Sequence, residues 1–152
     1  MTGADRVDRL RLRIARWLLG LAPLAMAVAA VLLMRREWDL HPFDPAGHRY
    51  GQNHPGQLGR LSTWIGIELL VFYAMLRPWS YQRGRWRGRV VLLVLGLWAG
   101  LMTLMRMHAG GLIHIHGNWN VALWLVTLAG VLLAPRRPLH AHEGALLPFN
   151  PI

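Results

Sequence analysis

Residues 17–34 read WLLGLAPLAMAVAAVLLM, eighteen consecutive positions without a charge. At 1.5 Å rise per residue such a run covers roughly 27 Å of helix, close to a hydrocarbon core of roughly 30 Å. Arginines stand on both sides: Arg6, Arg9, Arg11, Arg13 and Arg16 before the run, Arg35 and Arg36 directly after it. A signal peptide shares the basic start, the apolar run and the small residues near Ala25, Met26 and Ala27. Its apolar region is ordinarily about 7–15 residues long, whereas this run continues to Met34. The stretch is therefore read as an uncleaved span, with Pro23 inside it as an expected kink.

The rest of the chain repeats the pattern. Pro42, Pro45 and Pro55, with Gly47, Gly51, Gly56 and Gly59, break any regular helix across a polar outer loop at 35–59. Apolar blocks then run from Leu61 to Leu76 and from Val90 to Met105, the latter extending to His108 before Gly110 and Gly111 stop it. A last block ends at Pro135. Spans are expected at about 17–34, 60–77, 89–108 and 115–134, with a short interfacial helix before the first and a flexible tail at 135–152. The fold expected is all-α: one integral membrane domain over residues 1–152, four transmembrane helices in an up-down bundle.

That pattern accounts for an odd pair of totals. The chain has 152 residues and a net charge of +10, yet 54% of it is hydrophobic and its mean hydropathy is +0.28. Five arginines lie in the N-terminal segment, five in the 77–89 turn (Arg77, Arg83, Arg85, Arg87, Arg89) and two after the last block (Arg136, Arg137). Only Arg35, Arg36, Arg49, Arg60 and Arg106 fall on the other side. The positive-inside rule then gives N-in and C-in. The basic turn is read as a partner for anionic lipid headgroups on the inner face, not for nucleic acid. Trp17, Trp38, Trp64, Trp79, Trp86 and Trp119 are placed at interfaces, Trp98 and Trp124 deeper. A bacterial inner membrane is the expected location.

Residue types exclude much chemistry. With no cysteine and no lysine, thiolate metal sites, Fe–S clusters, cysteine nucleophiles and Schiff bases are absent. The two serines, Ser62 and Ser80, lie outside any nucleophile-elbow pattern. The balance is against an enzyme.

Glu68 is the one acid inside an apolar block. A mid-span carboxylate costs about 2.5–3.5 kcal/mol and requires a partner. The expected partner is Arg106, approaching from the third span, with His108 nearby. A structural interhelical pair outweighs a proton or substrate site, because a relay needs several such groups. His108, His114, His116 and Asn118 form a possible outer-face site. His114 and His116 share a face only if that stretch is extended. His41, His48 and His54 extend the candidate metal ligands, for zinc or copper. Met102, Met105 and Met107 suggest a copper path but suit ordinary packing better. Haem between facing histidines is disfavoured, since no histidine lies mid-span. No cofactor is predicted.

Small residues recur four apart at Gly96/Gly100, Ser62/Gly66 and Ala25/Ala29, a pattern that lets helices pack closely within the bundle or in an oligomer. Three functions fit these features. The first is a structural or accessory membrane protein that binds partners. The second is a binding or transport protein with an outward polar or metal site. The third is a membrane enzyme acting on a lipid or quinone.

Overall fold

The computed structural model describes residues 3–42, 53–76, 84–107 and 111–134. These residues form five helices and no strand: α1 (Gly3–Leu19), α2 (Leu21–Leu40), α3 (Gln57–Leu76), α4 (Gly84–Met107) and α5 (Leu112–Leu133). Three helical stretches are long and apolar enough to cross a membrane: Arg6–Leu40 taken together, Gln57–Leu76 and Leu112–Leu133. The apolar part of α4, Val90–Met105, is shorter.

The break in the first stretch lies at Gly20, not at Pro23. Pro23 sits in the first turn of α2, where a missing N–H is tolerated. In a continuous helix it would face the Leu19 carbonyl, which it cannot satisfy and which its ring would crowd. The chain therefore parts at Gly20, and the Tyr73 hydroxyl of α3 donates to the Gly20 carbonyl.

Three other boundaries differ from the expected ones. Helix α2 runs past Met34 to Leu40, because the breakers begin only at Pro42 and an Arg35–Asp39 pair at 3.2 Å spans one turn. Helix α4 begins at Gly84, inside the segment expected as a turn. Helix α5 begins directly after Gly111, whose φ of 61° suits glycine. The stretch His114–His116 is thus helical, not extended.

Helix α5 is the centre of the bundle and packs against each of the other four. Helices α2 and α4 make no contact with each other among the described residues, so they occupy opposite corners with α3 and α5 between them. Two glycines set the spacing. A Cβ on Gly130 would meet Leu19 Cγ at 2.6 Å, so α1 reaches α5 only because that position is bare. A Cβ on Gly96 would meet Trp124 Nε1 at 3.0 Å, and that indole donates to the Leu92 carbonyl at 3.1 Å. Gly66 and Gly100 have nothing within 4 Å. The small-residue pattern at 96 and 100 is therefore only half used inside the bundle.

The core gathers Leu19, Met34, Ile65, Phe72, Leu76, Leu112 and Leu123, all 2% exposed or less. Outward faces are apolar as well: Leu24, Val28 and Leu32 on α2, Ile67, Leu70 and Val71 on α3, Leu93, Leu97 and Leu101 on α4. A surface of this kind on every helix suits lipid rather than water.

At the rim of the bundle a buried asparagine joins three segments. Asn53 Nδ2 donates to the His41 carbonyl at 2.9 Å, and its Oδ1 accepts the Leu112 N–H at 3.1 Å. Leu112 opens α5, so Asn53 satisfies one of the N–H groups that a helix start leaves orphaned. Next to it, His54 to Gln57 form a turn closed by the Gln57 N–H on the His54 carbonyl, with Pro55 second and Gly56 at φ 73° third.

Candidate functional site

Glu68 stands eleven residues into α3, about 16 Å along its axis from Gln57. Its carboxylate faces α4 and α5 and is met by donors on both oxygens. Trp98 Nε1–H of α4 donates to Oε1 at 2.9 Å. Trp119 Nε1–H of α5 donates to Oε2 at 2.9 Å. Asn120 Nδ2 approaches Oε1 at 3.5 Å and donates more closely, at 3.0 Å, to the His116 carbonyl.

His116 completes the cluster. Its Nε2 lies 3.2 Å from Glu68 Oε1, with the two side chains 6% and 10% exposed. That N–H is not aimed at the oxygen, and Nε2 has no directed hydrogen bond. The contact is one of proximity, whereas the two indole contacts are directed bonds.

The local reason for this convergence is helical spacing. Residues 116, 119 and 120 lie at i, i+3 and i+4, one face of α5. Gly117 beside them is also buried. An ionised carboxylate is an acceptor only, and every group turned toward Glu68 is a donor.

The expected residues are thus redistributed. Glu68 and His116 come together. The side chain of Arg106 lies outside the described residues, but its position on α4 is eight residues beyond Trp98, about 12 Å along the axis. From α4 it is Trp98 that donates to Glu68. Trp119 is 3% exposed and turned into the bundle, where it reaches Glu68. Asn118 is exposed and Asn120 is the inward one. His114 points outward while His116 is buried, as two residues apart on a helix requires. His41 and His54 are exposed, and His48 and His108 lie outside the described residues. Among the described residues no group of three or more His, Asp or Glu is placed to hold a metal. Met102 is buried and Met105 is half exposed, so they do not line one path.

The sequence reading has Trp98 as a deep packing residue, Trp119 beside Arg106 and His108, and Asn118 and Asn120 as donors across helices, but it links none of them to Glu68 and does not single out Asn53. The spacing His116, Trp119, Asn120 was the available signal for the first cluster. Nothing local marked Asn53.

Comparison with known proteins found no matching family model, no matching curated protein and no matching solved structure.

Proposed function

We propose that the chain is a four-span protein of a bacterial inner membrane, N-in and C-in, with a structural or partner-assembling role. The observation that carries this reading is the occupancy of Glu68. Both oxygens of the acid are engaged by indoles from two different helices. Such a knot ties α3 to α4 and α5, which otherwise meet α3 through few residues, and leaves the carboxylate little freedom to serve as a carrier. The apolar outer faces and the arginine-rich inner segments support the topology.

The test compares Glu68→Gln with the parent protein in detergent and in proteoliposomes. A structural knot predicts a lower yield of folded protein and earlier unfolding in a denaturing detergent, with no solute or proton flux lost. A variant that folds as the parent does but abolishes a flux that the parent shows would overturn the reading.

A second reading, a binding or transport site, is favoured by one specific observation. His116 Nε2 is buried beside the acid without a directed bond of its own. On that reading His116→Gln would keep the fold and alter proton-coupled flux. The same proteoliposomes decide it.

A further inference from the structure

Helix α1 carries two stripes of four residues with identical spacing. Val7, Leu10, Ile14 and Trp17 form one, at i, i+3, i+7 and i+10. Arg6, Arg9, Arg13 and Arg16 form the other, displaced by a single residue and so by about 100° around the helix. The apolar stripe does not face the bundle. Its four side chains are between 39% and 58% exposed. A third line on the same helix, Leu12, Ala15 and Leu19, is the buried one, and through Leu19 on Gly130 it fastens α1 to α5.

This arrangement differs from that of the spans. Helices α2 and α3 expose apolar residues with few charges among them, as lipid tails require. Helix α1 sets an exposed apolar stripe directly alongside a cationic one. A helix lying in the plane of a membrane needs this pattern, with apolar residues toward the acyl chains and arginines level with the phosphates. Gly20, with φ −100° and ψ −77°, marks the boundary between α1 and the span that follows.

We propose that the Val7–Leu10–Ile14–Trp17 face of α1 is a docking surface for anionic phospholipid, whose headgroups the Arg6–Arg9–Arg13–Arg16 stripe holds. The proposal rests on the membrane reading above and adds to it a lipid class and a site. The helix is clamped between α5 on one side and an anionic leaflet on the other. It thereby anchors the inner end of the first span.

The absence of native cysteine makes the test direct. Ile14→Cys and, as a control on a span, Leu97→Cys are introduced singly into the full chain, labelled with bimane, and reconstituted in mixed vesicles. Quenching is read with nitroxide-labelled phosphatidylglycerol and with nitroxide-labelled phosphatidylcholine. Both probes should be quenched, and at Ile14 the anionic lipid should quench at least about twofold more strongly. High salt, or Arg6→Gln with Arg9→Gln and Arg13→Gln, should erase that preference. Quenching at Leu97 with none at Ile14 overturns this proposal and leaves the span reading standing. Disulfide-linked dimers of unlabelled Ile14→Cys, with the probe screened from both lipids, would assign the face to a second copy instead. Equal quenching at Ile14 by the two lipids overturns the anionic partner. No quenching at either position overturns the proposal and the membrane reading together.

Discussion

A lone carboxylate among apolar helices is stabilised here by indole donors, not by a second charge. Trp98 and Trp119 each give Glu68 one N–H at 2.9 Å. Interhelical hydrogen bonds within membranes average roughly 0.6 kcal/mol and reach about 1.7 kcal/mol. Trp98→Phe and Trp119→Phe, which remove the donor together with part of the ring, should each lower stability by at least that much, the buried Trp119 more because a void is left. Glu68→Ala should cost more, about 1–3 kcal/mol for each donor left buried without a partner. Reversible unfolding of the purified protein in mixed detergent micelles would measure all three. A Glu68→Ala loss no larger than that of a single tryptophan variant would show that the carboxylate is not the shared anchor. The acid itself could be picked out from sequence, because a charge inside an apolar block is conspicuous. Its partner could not. Arg106 was inferred from depth alone, and depth along a helix says nothing about which residue a neighbouring helix turns toward it.

The helices themselves follow from chemistry that is largely local, yet the contacts between them depend on single bare positions. Leu19 rests where a Cβ on Gly130 would lie. Gly130→Ala should therefore cost about 1–3 kcal/mol through overpacking. Leu19→Ala in the same chain should recover part of that loss, since the two residues share one space. Gly100→Ala, with nothing within 4 Å, should leave the bundle unchanged and serves as the matched control in the same unfolding assay. At the rim, Asn53 carries one donor and one acceptor bond to segments far apart in the chain. Asn53→Ala should remove both and destabilise by about 1–3 kcal/mol. Asn53→Asp keeps an oxygen for the Leu112 N–H and should lose less. Faster hydrogen exchange at the start of α5 in Asn53→Ala would report the lost cap. Helix-propensity and breaker patterns placed these elements to within a few residues. They misjudged α2 because its polar last turns resemble a loop in composition while an Arg35–Asp39 pair supports them as helix.

For the molecule as a whole, topology is the property most open to direct measurement. Single cysteines at His54 and at Arg85 should fall on opposite sides of the membrane under the N-in reading. In intact cells an impermeant maleimide should label His54→Cys and spare Arg85→Cys until the membrane is opened. The reverse pattern would invert the topology, and equal labelling would remove α3 as a crossing helix. The central position of α5 bears on the same question. Its buried face includes His116, Asn120 and Thr127 as well as Leu123, and Gly130 lets Leu19 of α1 approach closely. Polar groups thus collect on the one helix that touches all the others, where they can be satisfied, and the peripheral helices turn their apolar residues outward.

What could be derived from the order of residues alone was class and layout. Apolar blocks of near-bilayer length, arginines at their ends and breakers between them depend on composition within short windows, and a short window is enough to establish an element and its surroundings. The helical spacing of His116, Trp119 and Asn120 also lay in the sequence, but as one pattern among many. Only the packed bundle settled that this face of α5 meets Glu68, that Trp98 donates to it from α4, and that Asn53 closes the start of a helix 59 residues away. Those pairings depend on how each helix is rotated about its own axis. Rotation is set by close contact at positions such as Gly96 and Gly130, where the shape of a distant residue decides how near two helices come.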